Sequence, residues 1–239
     1  MTPTVVCFHH AGGSAAAYRD WGSEHDLRIH AVCLPGRDGR RNEPSPTSMD
    51  SLVEQLDDEL GELLATEHVL FGHSMGGTIA YELALRRMRR NARLPLAMIV
   101  VASNPPHLQP AGLPLDEMTD LEIARSLTEL GGIPPILLER PEWLGPLMRP
   151  VKDDLRLCRS ARVVGDAELA PLPVSLHVIG GSRDRLAPPE RLATWRLHAG
   201  RDFSLSILDG AGHFLVTENR SEVTALVAAV VDRTRVGVL

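Results

Sequence analysis

Short runs of β-branched and aliphatic residues punctuate the chain at Thr4–Phe8, Ile29–Leu34, His68–Phe71, Ala97–Ala102, Ser175–Ile179 and Phe203–Leu208. Each is apolar at consecutive rather than alternate positions. Strands of that kind have both faces covered, as in a parallel sheet between helical layers. Helical patterns lie between the runs. After Thr47, a candidate N-cap, Leu52, Leu56, Leu60, Leu63 and Leu64 share one apolar face. A second helix is expected from Ser74 to the basic cluster Arg86-Arg87-Met88-Arg89-Arg90, read as a solvated last turn whose cations complement the helix dipole. Asn219 and Glu222 have capping-box spacing for the last helix. Strands alternating with helices predict a doubly wound α/β architecture, one domain over residues 1–239.

The alternation stops between Pro110 and Leu169. Thr119 with Glu122 again resembles a capping box, Leu121, Ala124, Leu127 and Leu130 form a stripe, and Gly131-Gly132 end the helix. A further helix is expected over Val151–Arg159. A helical insertion over 110–169 reads as a lid or pocket wall over the sheet, although two ordinary packing helices would give the same pattern.

Composition narrows the function classes. Apolar residues make up 44% and charged residues 23% of 239, ordinary globular usage. The net charge of −6 argues against a nucleic-acid partner. The longest apolar run, around Ala225 to Val231, falls far short of the roughly 20 residues of a membrane span. No signal-type stretch opens the chain, so a cytoplasmic location is expected. Cys7, Cys33 and Cys158 are odd in number, lack metal spacing and are expected to stay reduced.

Candidate chemistry centres on Gly72-His73-Ser74-Met75-Gly76, a G-x-S-x-G between an apolar run and a helix. A serine on so tight a turn needs small neighbours two residues before and after, and its hydroxyl then stands clear of the sheet. Such a nucleophile needs a base, and the chain order in this context is Ser, acid, His. His73 adjoins the serine and should be aimed elsewhere, His9 and His10 precede it, and His177 lies inside a strand. That leaves His213, in Gly210-Ala211-Gly212-His213-Phe214 after the last strand. Asp184, in Gly180-Gly181-Ser182-Arg183-Asp184, is the expected acid, with Asp209 as its rival. Two amides are needed for the oxyanion: Met75 after the serine, and Ala11 in the loop His9-His10-Ala11-Gly12-Gly13-Ser14. The paired histidines of that loop lack a third ligand at suitable spacing, so no metal is expected.

Taken with Tyr18 and Trp21, Leu34-Pro35-Gly36-Arg37 with Glu43-Pro44, Leu130-Gly131-Gly132 with Pro134-Pro135, and Asp154-Leu155-Arg156-Leu157, these motifs resemble the type II thioesterases of polyketide and non-ribosomal peptide pathways, which are α/β-hydrolases. The resemblance runs through nearly the whole chain. It implies Ser74 as nucleophile, His213 as base, Asp184 as orienting acid, Ala11 and Met75 as oxyanion donors, and Gly72 and Gly76 as elbow glycines. It also implies hydrolysis, through an acyl-serine, of acyl groups held on the phosphopantetheine arm of an acyl or peptidyl carrier protein. No cofactor, metal, nucleic acid or membrane enters this reading, and a monomer is expected. Departures from the family pattern are His9 where a proline is usual, Arg37-Asp38-Gly39-Arg40, and the lack of the usual aromatic residues over Cys158 to Leu169. An acyltransferase, a small-molecule esterase and a catalytically silent interaction protein remain as alternatives.

Overall fold

The apolar runs form one sheet. Strands β1 (Thr4–Phe8), β2 (Arg28–Ala31), β3 (His68–His73), β4 (Ala97–Val101), β5 (Ser175–Gly181) and β6 (Phe203–Leu208) lie in the order β2-β1-β3-β4-β5-β6, each neighbouring pair parallel. The computed structural model describes residues 2–108, 118–163, 165 and 171–236. Strands β1, β3, β4 and β5 are buried at every position, which accounts for their unalternating sequences, whereas the edge strands β2 and β6 are partly exposed. Pairing in β2 spans Arg28–Ala31 rather than reaching Leu34. After a last bond from Val32 N–H to Cys7 O (3.0 Å), the chain turns away at Pro35-Gly36.

The helices are α1 (Gly22–His25), α2 (Met49–Glu59), α3 (Gly61–Leu64), α4 (Met75–Arg89), α5 (Asp120–Glu129), α6 (Leu144–Ser160), α7 (Pro189–Leu192), α8 (Leu215–Glu218) and α9 (Arg220–Arg235). Successive strand residues feed opposite faces. Val6, Phe8, Leu70 and Met98 join Leu52, Leu56, Ile79 and Leu83 of α2 and α4 in one core. Val5, Cys7, Phe71 and Ile99 join Tyr18, Trp21 and the valines of α9 in the other.

Several helix ends differ from their sequence expectation. Ser48, not Thr47, caps α2, its Oγ accepting from Ser51 N–H (3.2 Å). The leucine face divides at Leu60 between α2 and α3. Asn219 makes no side-chain cap, because α8 ends against it and its own N–H is taken by Leu215 O (2.8 Å). The capping box at Thr119 is present, and Gly131, at φ +85°, ends α5 as the amides of Gly131 and Gly132 close on Thr128 O and Leu127 O. Helix α6 starts at Leu144, well before Val151. Gly145, Pro146 and Pro150 read as breakers, yet Leu144, Met148 and Val151 pack on Ile123 and Ala124 of α5 in a small core that outweighs them. Both ends of the expected insertion, Pro110 and Leu169, lie outside the described residues.

The basic cluster ending α4 is solvated only in part, at the exposed Arg89 and Arg90. Arg87 is buried, donating to Asp57 Oδ1 (2.7 Å), Leu64 O (3.1 Å) and Arg93 O (2.8 Å), while Arg90 reaches Asp57 Oδ2 (2.9 Å). Asp57 on α2 thus gathers the end of α4. Asp57→Ala would strand the Arg87 guanidinium and is expected to lower stability by about 3–5 kcal/mol in urea unfolding. The exposed Asp58→Ala is expected to stay within about 0.5 kcal/mol.

Candidate active site

A single residue makes the turn from sheet to helix. Strand β3 ends at His73, α4 begins at Met75, and Ser74 between them sits at φ 54° and ψ −116°. Such a backbone costs a non-glycine residue about 1–3 kcal/mol and persists only where its surroundings impose it. Here Ser74 N–H donates to Val101 O (2.8 Å) and Ser74 O accepts from Gly77 N–H (2.9 Å). A Cβ on Gly72 would stand 2.1 Å from Gly76 O, and one on Gly76 would stand 2.1 Å from Phe8 O. No side chain fits at either position.

Two loops bring partners to the serine. His213, between β6 and α8, lies with Nε2 3.0 Å from Ser74 Oγ and Nδ1 2.9 Å from Asp184 Oδ2. Asp184 follows β5, and Arg183 N–H donates to Ala211 O (2.9 Å), tying the two loops together. The other oxygen of Asp184 accepts from Leu186 N–H (2.8 Å) and Ala187 N–H (3.0 Å). Burial alone would raise Asp184, but the bond to His213, electrostatic attraction to that imidazole and the two amides together hold it below the ordinary carboxylate range. A carboxylate only accepts, so His213 carries its proton on Nδ1, and Nε2 is left to accept from the serine hydroxyl. Asp209 is elsewhere, its carboxylate taking Ser182 Oγ (3.1 Å) at the surface.

The histidines packed beside the site are scaffold. His73 is buried beneath the site, its Nε2–H donating to His213 O (2.9 Å) and so fixing the loop that carries the imidazole. Burial, helped by His10 and His213, drives His73 well below its usual value. His10, packed on His73 and Phe214, is lowered to about 3, and His9 to about 4, chiefly by burial. His9 stands where a proline is usual in the family it resembles. Its Nδ1–H donates to His10 O (2.8 Å), which also accepts Gly13 N–H (2.9 Å), so hydrogen bonds stiffen the loop in place of a ring.

Ala11 on that loop and Met75 at the start of α4 line one cavity of about 140 Å³ with Ser74 and His213. The first amides of a helix have no carbonyl of a preceding turn to bond, so Met75 N–H is at the serine's disposal. Leu155 and Cys158 of α6 form part of the wall. Burial pushes the Cys158 thiol up to about 12, which disfavours its thiolate at neutral pH. Among the described residues no cluster of three or more His, Cys, Asp or Glu could hold a metal ion, and no helix is long and apolar enough to cross a membrane.

A family model for the thioesterase domain matches residues 3–232. This chain belongs to the thioesterase family. Its sheet and helices are those of the α/β-hydrolase thioesterases. Phenyloxazoline synthase MbtB of Mycobacterium tuberculosis (strain CDC 1551 / Oshkosh) is 33% identical over 229 residues, 94% of this chain. The chain spans only 16% of that protein's length. RedJ, a thioesterase from the prodiginine pathway of Streptomyces coelicolor, superposes with a TM-score of 0.87 at 28% identity, covering 95% of this chain and 90% of RedJ. YbtT, a type II thioesterase from the yersiniabactin NRPS/PKS pathway, gives 0.85 at 26% identity, covering 98% of this chain and 94% of YbtT.

Two further residues escaped sequence reasoning as site residues. Arg37 and Asp154 form a buried bidentate pair beside the Ala11 loop, with Gly12 N–H on Asp154 Oδ2 (2.7 Å). Each stands in a motif quoted above, but nothing in the spacing of residues so far apart in sequence marks them as a pair.

The buried neutral histidines give stability a pH signature. His68 is held at about 4 by burial, with the Arg87 and Arg93 charges adding to it. A histidine depressed in the folded state binds fewer protons there than when unfolded. Its stabilisation is complete above about pH 6.5 and is lost as pH falls toward 4, at up to about 1.4 kcal/mol per pH unit for each such group. Urea midpoints should therefore fall from pH 7 to pH 5, and His68→Gln should flatten that slope by roughly one proton. An unchanged slope would contradict the burial of a neutral His68.

Proposed function

We propose that this thioesterase hydrolyses acyl groups from the phosphopantetheine thiol of acyl or peptidyl carrier proteins, as an editing or release step in polyketide or non-ribosomal peptide assembly. The observation that carries the reading is the unbroken hydrogen-bond chain Ser74–His213–Asp184 at the mouth of a mostly apolar cavity. The family match and the pathway origin of RedJ and YbtT support it.

In this reading His213 Nε2 takes the Ser74 proton as Oγ attacks the thioester carbonyl. The amides of Met75 and Ala11 hold the resulting oxyanion, an interaction worth on the order of 10²–10³ in rate for one donor. The C–S bond then breaks, the pantetheine sulfur takes the proton from His213, and the acyl group stays on Ser74 as an ester. Water repeats the sequence, giving up its proton to His213, and releases the free acid. Asp184 keeps the imidazole in the right tautomer and stabilises it when protonated. Because Arg86, Arg87 and Arg90 are engaged by Glu54 and Asp57, and the net charge is −6, recognition rests on the arm and acyl group rather than on long-range steering of an acidic carrier.

Mass spectrometry of an acyl-loaded carrier protein separates the possibilities: loss of the acyl mass is hydrolysis, its appearance on an added acceptor is transfer, and no change denies both. Ser74→Ala is expected to keep the fold and abolish the loss. An aryl phosphonate should add once to the wild type and not to this variant. A fully active alanine variant would sink the mechanism.

Asp184→Asn should preserve the geometry while lowering kcat on the order of 10⁴-fold. Asp209→Asn, at a surface carboxylate that accepts from Ser182, should change kcat less than about threefold. The reverse order of sensitivity would show that the acid is misassigned.

A further inference from the structure

Helix α6 reaches across to the Ala11 loop through one carboxylate. Asp154 Oδ1 accepts from Arg37 Nη2 (2.5 Å), and Oδ2 accepts from both Arg37 Nη1 (2.6 Å) and Gly12 N–H (2.7 Å). Arg37 Nη1 donates in addition to Gly13 O (3.1 Å). Both side chains are buried, at 7% and 2% exposure. One turn earlier on α6, Val151 fills the space at Gly12, where a Cβ would stand 2.5 Å from Val151 Cγ2. The two residues that follow the oxyanion amide of Ala11 are therefore gripped from both sides, by a guanidinium in the β2–α2 connection and by a carboxylate on α6.

We infer that Arg37 and Asp154 are positioning residues, a latch that holds the Ala11 amide in register with Met75 only while α6 is seated. The inference rests on the mechanism proposed above and adds a device to it. Charge-assisted bonds shielded from water are short and directional, so a loop pinned by them has little freedom. If α6 lifts, Gly12 N–H loses its acceptor and Arg37 its carboxylate, and the loop keeps only its internal bonds to His10 O and the Arg37 contact at Gly13 O. The hydrolytic site would exist only beneath a closed helix, and an arm still entering would meet a serine without a complete oxyanion hole.

The test separates positioning from mere stability. Replacing the pair by apolar residues, Arg37→Met with Asp154→Leu, removes the grip on Gly12 and Gly13 without leaving a lone buried charge. Asp154→Asn is the second variant, nearly isosteric and uncharged. In each, active serine is counted by phosphonate labelling at saturation, and kcat is expressed per labelled serine. The expected result is a fall of about 10²-fold in the double variant and a smaller one in Asp154→Asn, with KM for an acyl-pantetheine within about threefold. Inhibition by a pantetheine trifluoromethyl ketone, whose hydrated or serine-bound oxygen needs the same amides, should weaken in parallel with kcat/KM. Rates per labelled serine within threefold of wild type in both variants would overturn the latch, as would a loss explained wholly by fewer labelled serines. A wild-type serine that the phosphonate leaves unmodified would overturn the site reading itself, and the latch with it.

Discussion

No side-chain atom fits between strand β3 and the first turn of α4, and that crowding organises the molecule. Gly72 lies against the backbone of Gly76, and Gly76 in turn against the carbonyl of Phe8 at the end of β1. The contact fixes β1, β3 and α4 relative to one another at the place where the strand order reverses. In open α/β sheets the crevice outside the strand carboxyl ends at that point is where ligands bind, because loops there leave in opposite directions. The loop after β1 and the turn after β3 accordingly face each other. The unusual dihedrals of Ser74 follow from the same geometry, since a chain leaving a buried strand for a helix packed this closely has one residue in which to turn.

Charge is distributed around this point with equal economy. His9, His10 and His73 lie around the loop yet are kept neutral by burial, leaving His9 Nδ1 and His73 Nε2 to organise backbone carbonyls. His213 alone bridges a hydroxyl and a carboxylate. Asp154, the carboxylate at the Ala11 loop, is paired with Arg37 on the spot. His213 Nδ1 meets Asp184, which its amide bonds already hold in place.

Much of this was legible in the sequence, for reasons that can be stated residue by residue. Strands buried on both faces need unbroken apolar runs, so the central strands stood out. The elbow stood out because backbone crowding permits only glycine at Gly72 and Gly76. Asp184 and His213 could be proposed by chain order and strand ends, since each sits on the first turn after a strand. What stayed hidden depends on contacts between distant segments. Gly145, Pro146 and Pro150 disguise the start of α6, whose helix is held by packing on α5 rather than by propensity. The basic end of α4 looks solvent-facing until Asp57 of another helix is placed beside it. Arg37 and Asp154, 117 residues apart, meet only in three dimensions.

Helix α6 presents two faces with different freedom to vary. Val151 and Asp154 meet the backbone of Gly12, where neither bulk nor charge can change without disturbing the loop. Leu155 and Cys158, a fraction of a turn away, border the cavity beside the serine. On the proposed function, a lineage diverging toward bulkier or smaller acyl groups can substitute the second face while the first stays constant, and directed evolution can do the same with a library confined to positions 155 and 158. The helix separates what must be inherited from what can be explored.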